Sequence, residues 1–110
     1  MAIKDPLHTT WLITDKFREV DETIPIRWIQ TFLYVAMHQG SDDLTQYRIA
    51  EALNTPQGVV SKFIAKMSDK GGIGLLHLER DPTNDSRKTI TLTGKGKKLL
   101  NDIQTILQKG

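Results

Sequence analysis

The stretch from Thr45 to Leu92 breaks its helical apolar stripe at a tight turn and then drops to a period of two, and few folds accommodate both. Ile49, Ala50 and Leu53 make one face of a short helix, with Thr45 placed to cap its start. Asn54 follows, a residue that tolerates the left-handed backbone of a tight turn. Thr55-Pro56 then restarts a helix, with a capping hydroxyl followed by proline at the first helical position. Val60, Phe63, Ile64 and Met67 form its inward stripe, and the pattern predicts that it runs to about Lys70 before Gly71-Gly72 ends it. From there the period falls to two. Leu76 and Leu78 alternate with polar residues, as do Ile90 and Leu92. Between these runs, Asp81-Pro82-Thr83-Asn84-Asp85-Ser86 is a dense turn signal. A short helix, a tight turn, a second helix and then a β-hairpin make a winged helix-turn-helix.

The flanks are helical. Residues 8–20 carry Trp11, Leu12, Phe17 and Val20, with Thr9 or Thr10 able to cap the start. After the polar Asp21–Thr23, Pro25 suits the first turn of a helix over 25–38, with Gly40 as its stop. Thr93 caps a last helix whose face holds Leu99, Leu100, Ile103, Ile106 and Leu107. The expected fold is mainly α with a small β-hairpin wing, in a single domain over 1–110. Its parts are N-terminal helices over 8–38, the helix-turn-helix and wing over 44–92, and a C-terminal helix over 93–110.

Composition removes several function classes. A chain of 110 residues suits one domain with a modest core. With no cysteine there is no disulfide, thiol nucleophile or thiolate-bound zinc. The N-terminal residues lack the pattern of a signal peptide, and no apolar run approaches ~18 residues, so a cytoplasmic protein without membrane partners is expected. His8, His38 and His77 are scattered without ligand spacing, and Ser61 and Ser86 have no His–Asp arrangement near them in sequence. Gly71-Gly72-Ile73-Gly74 ends a helix where a phosphate loop would begin one. Neither an enzyme nor a cofactor is expected.

Charge is unevenly placed. Residues 1–43 hold 4 basic and 7 acidic residues, a balance of −3, whereas residues 44–110 hold 11 and 6, a balance of +5, giving the net +2. A basic C-terminal part fits a polyanionic partner. With Val60, Phe63, Ile64 and Met67 inward, the second helix turns Gln57, Gly58, Ser61, Lys62, Ala65 and Lys66 outward. Small and hydrogen-bonding residues near a helix start are what the major groove admits: Gln pairs with adenine, Ser with several bases, and lysine reaches guanine or phosphate. Thr45 and Thr55 lie at the two helix starts, where backbone N–H groups favour phosphate. Arg80, Arg87 and Lys88 bracket the hairpin turn. Such a projection fits the narrow minor groove of A·T-rich DNA, with Asp85 holding Arg87 extended. Lys95, Lys97 and Lys98 follow; the last two are read as a solvated helix start.

At this point the chain resembles the MarR family of winged-helix regulators. The resemblance rests on Val60-Ser61-Lys62, the Lys70-Gly71 stop and the Arg80-Asp81-Pro82 strand end. Asp85-Ser86-Arg87 in the wing and Leu92-Thr93-Gly94-Lys95-Gly96 opening the last helix complete it. It covers about residues 25–100 and is most specific in the wing and the L-T-x-x-G run. It implies that Gln57, Ser61 and Lys62 meet the major groove while Arg87, oriented by Asp85, meets the minor groove. Three departures stand out. Gly72-Ile73-Gly74 lengthens the link to the wing, Gly58 replaces a residue that usually has a side chain, and one helix follows the wing. The short length is similar to phage- or plasmid-encoded members.

The expected function is a sequence-specific regulator of double-stranded DNA, a repressor acting as a homodimer. Its N- and C-terminal helices would supply the dimer interface through Trp11, Leu12, Leu100, Ile103 and Leu107. No feature specifies a small-molecule effector. The alternatives are a winged-helix protein-interaction module and a non-specific architectural DNA binder.

Overall fold

The computed structural model describes residues 5–81 and 84–109, and of residues 80, 81 and 84–88 the backbone alone. Helix α1 spans Pro6–Val20 and α2 spans Ile26–Met37. Helices α3, Gln46–Leu53, and α4, Gln57–Met67, follow. Strands β1, Leu76–Asp81, and β2, Asn84–Leu92, precede α5, Gly94–Lys109. The strands form a two-stranded antiparallel sheet that pairs Leu76 with Leu92 and Leu78 with Ile90, with an irregularity after Arg80.

One apolar cluster joins these elements. Phe17 from α1 meets Phe32 of α2 edge-on at 5.6 Å between ring centroids. Ile49 and Leu53 of α3, Val60, Ile64 and Met67 of α4, Ile90 and Leu92 of β2, and Leu99 and Ile103 of α5 fill the remainder. Leu75 and Leu76 are fully buried where the chain enters β1. Helix α1 packs along α5, so both ends of the chain share one side of the cluster.

Helix starts and stops follow local chemistry, with four corrections to the sequence reading. Helix α1 begins earlier than expected because the Asp5 carboxylate accepts from Leu7 N at 3.0 Å and Pro6 takes the first turn. Thr9 and Thr10 therefore lie inside α1, Thr9 buried and Thr10 donating to the Pro6 carbonyl at 2.7 Å. Thr55 does not cap α4: its hydroxyl donates back to the Leu53 carbonyl at 3.0 Å, and Pro56 occupies the cap position without a side-chain bond. Helix α4 stops at Met67, three residues short of Lys70, because Ser68 turns extended and its hydroxyl donates to the Ala65 carbonyl at 2.8 Å. Phe63 is half-buried, since it stands at the edge of the stripe centred on Val60, Ile64 and Met67. Thr93 caps α5, accepting from Gly96 N at 3.0 Å.

Candidate nucleic-acid interface

The helix-turn-helix is built around one left-handed residue. Thr45 starts α3 by accepting from Arg48 N at 3.1 Å. Asn54 ends it with φ 51° and ψ 49°, the conformation its short polar side chain tolerates. Thr55 N then donates to the Ala50 carbonyl at 3.0 Å, which folds the chain tightly into α4.

Helix α4 divides cleanly in two. Val60, Ile64 and Met67 are wholly buried, while Gln57, Gly58, Lys62, Ala65 and Lys66 are exposed and Ser61 is half-buried. A Cβ on Gly58 would meet nothing within 4 Å, so that position is open to whatever approaches. The start of α4 has no side-chain cap and the helix has no acidic residue. Its macrodipole and its lysines thus act together on an approaching anion.

A groove of about 480 Å³ runs between α3 and α4, lined by Tyr47, Ala50, Glu51, Asn54, Thr55, Pro56 and Gln57. From the sequence, Tyr47 fits helix packing better than base stacking, yet it is half exposed on the first turn of α3. Its phenol lies beside the Arg48 guanidinium at 5.9 Å. Arg48 is itself bonded to Glu51 at 3.0 Å, and that hydrogen bond holds its pKa above the ordinary value. The signal available in the sequence was a tyrosine on the polar face of a helix that needed no further apolar contact.

The wing is fixed at its root. Ile73 N donates to the Lys66 carbonyl at 2.9 Å and Leu75 N to the Met67 carbonyl at 2.8 Å, so the glycine-containing link folds back onto the end of α4. A Cβ on Gly72 would overlap the Lys66 carbonyl, which makes this glycine part of the packing. Three successive carbonyls then take donors from the start of α5. Lys95 Nζ donates to Ile73 O at 2.8 Å, Thr93 Oγ1 to Gly74 O, and Thr93 N to Leu75 O at 3.1 Å. Gly96 is buried because a Cβ there would strike the Leu75 carbonyl, which is the physical content of L-T-x-x-G. Backbone pairing sets Arg80 opposite Lys88. The side chains of Arg80, Asp85, Arg87 and Lys88 lie outside the described residues, as do the bonds expected of them.

The histidines have local partners. His8 stacks on Trp11, His38 stacks on Tyr34 at 4.1 Å between centroids, and His77 Nδ1 lies 2.8 Å from Asp69. Among the described residues no group of three or more His, Asp or Glu side chains is placed to hold a metal. Among the described residues no helix is long and apolar enough to cross a membrane.

At the expected dimer surface, Trp11 is 59% exposed and Leu107 46%, with Leu7 beside them in α1 at 80%. Leu12 and Leu100 are half-buried. Ile103 departs from the expectation: at 4% exposed it is enclosed by the chain's own core.

No family model and no curated protein matches the chain. Solved structures do. The Staphylococcus aureus MepR–DNA complex is 30% identical, with 93% of this chain and 78% of that one covered at a TM-score of 0.71. A mutant of S. aureus MepR bound to an oligodeoxyribonucleotide is 28% identical, with 93% and 70% covered at a TM-score of 0.72. MepR is a transcription regulator of the multidrug efflux pump MepA. A MarR transcriptional regulator from Methanosarcina mazei Go1, 24% identical over 88% of this chain and 64% of that one, shares the fold at a TM-score of 0.60. The helix-turn-helix, the rooted wing and the identity over most of both chains agree: this chain belongs to the MarR family of winged-helix transcriptional regulators.

Proposed function

We propose that this chain is a sequence-specific DNA-binding transcriptional regulator, a repressor that works as a homodimer in the cytoplasm, with residues 1–110 acting as one winged-helix domain. The observation that carries the reading is the division of α4. Gln57 and Gly58 stand exposed at an uncapped helix start, Lys62 and Lys66 follow further along the same acid-free helix, and Val60, Ile64 and Met67 are sealed in the core. MepR has been solved bound to DNA with the same fold.

Gln57 and Ser61 read base edges in the major groove, and Lys62 and Lys66 reach guanine or phosphate. Thr45, Thr55 and Gly58 admit the backbone of the duplex close to the two helix starts. Arg80, Arg87 and Lys88 place positive charge in the flanking minor groove, with Asp85 orienting Arg87. Trp11 and Leu107, with the remaining exposed surface of Leu12 and Leu100, meet a second copy. That spacing would set two α4 helices ~34 Å apart over an inverted repeat. Bound there, the dimer would block polymerase.

Selection of bound fragments from a random duplex library tests this directly. An inverted repeat with half-sites about one turn apart is the expected product. Recovery of no preferred sequence would leave an architectural binder. No retention of any duplex would leave a protein-interaction module and end the DNA reading.

A further inference from the structure

We infer that Arg27, in the first turn of α2, is a positioning residue that clamps the helix-turn-helix turn and thereby sets DNA affinity without touching DNA. The inference rests on the DNA-binding reading above. Arg27 Nη1 donates to the Leu53 carbonyl at 2.7 Å, a bond that spans 26 residues of sequence and is partly buried. Leu53 is the last residue of α3, so its carbonyl sits at the negative end of that helix, where a guanidinium is favoured. A charge-assisted bond of this length is among the stronger single contacts a surface arginine makes.

The same carbonyl also accepts from Thr55 Oγ1 at 3.0 Å. Three elements therefore converge on one oxygen: α2 through Arg27, the end of α3 through Leu53 itself, and the approach to α4 through Thr55. Asn54, between Leu53 and Thr55, is in the left-handed conformation. It is the backbone segment on which the direction of α4 depends. Arg27 is braced in turn, because its own carbonyl accepts from the fully buried Thr31 hydroxyl at 2.7 Å and its Nη1 also approaches Gln30 Oε1 at 3.4 Å. A shift of α2 therefore reaches the turn through the Arg27 side chain.

Two variants of the full chain separate this role from a direct phosphate contact and from bulk stability. Arg27→Met keeps the aliphatic stem and removes the donor. Arg27→Lys keeps a donor able to reach the carbonyl. In the absence of DNA, amide hydrogen exchange at Asn54 and Thr55 is expected to rise at least tenfold in Arg27→Met, with α1 and α5 unchanged, and to return toward the wild-type rate in Arg27→Lys. On a duplex chosen by selection with the wild-type protein, Arg27→Met is expected to bind about tenfold more weakly at an unaltered salt slope. Unchanged exchange at the turn would overturn the clamp. A slope lower by about one would make Arg27 a phosphate contact and overturn the positioning role. If wild-type protein retains no duplex, the DNA reading fails while the exchange arm still judges the clamp.

Discussion

Two glycines show how much one Cβ decides. At Gly96 it would strike the Leu75 carbonyl and crowd the Leu92 side chain, and a backbone oxygen inside the core has nowhere to move. Gly96→Ala should lower stability by about 2 kcal/mol, read as a lower urea midpoint at constant m. At Gly58 a Cβ meets open space in the first turn of α4, where alanine is the better helix former. Gly58→Ala should raise stability by about 0.5–1 kcal/mol. A loss at Gly58 or no loss at Gly96 would contradict the packing described. Gln46 gives a third case. Among the described residues its buried Nε2 finds no hydrogen-bond partner, so the group bears a desolvation cost with no return. Gln46→Met removes that donor at similar volume and is expected to raise the melting temperature by a few degrees, a gain of about 1 kcal/mol.

Among the elements, α3 and α4 were the most legible, because local rules determine them. Thr45 as cap, Asn54 as the left-handed turn and the Val60–Ile64–Met67 stripe each depend on neighbours within one or two turns. The stop of α4 was not legible. It depends on Ser68 bonding back to Ala65 and on a link whose amides bond to carbonyls of residues 66 and 67, and neither leaves a periodic trace. The double glycine was read as a breaker, whereas Gly72 is there to let the link lie against the end of α4. The contact between Arg27 and Leu53 was invisible for the same reason, since nothing in either local sequence announces a partner 26 residues away. On α4 itself, Lys62→Ala should weaken binding to every duplex tested and reduce the salt slope by about one. Gln57→Ala should instead cost about 1–3 kcal/mol on the selected site and little on random DNA. Fluorescence anisotropy across a salt series distinguishes the two, and a uniform loss for Gln57→Ala would remove it from base readout.

At the scale of the whole molecule, the chain is drawn out. Its radius of gyration is 14.8 Å and its extents are 55 × 27 × 27 Å, where a compact chain of this length would be near ~13 Å in radius. An elongated body encloses less of its apolar surface, which agrees with Leu7, Trp11 and Leu107 remaining exposed on the paired α1 and α5. The sequence pointed to this side but could not divide its apolar residues between core and partner; Ile103 went to the core because α5 carries one face into it. Replacing both Trp11 and Leu107 with Asp should leave a monomer in sedimentation at micromolar concentration. It should also lower affinity for an inverted repeat by about 10²-fold, because the second half-site no longer binds intramolecularly. A variant that still sediments as a dimer would place the interface elsewhere.

The three consecutive carbonyls at residues 73–75 join the base of the hairpin to the opening turn of α5, while the amides of Ile73 and Leu75 hold the same segment to the tail of α4. The base of the hairpin, the opening turn of α5 and the tail of α4 are therefore tied to one another through residues 73–75. Turning α4 against the root of the wing, or either of them against the start of α5, would have to break these backbone bonds, so the three meet as one rigid joint.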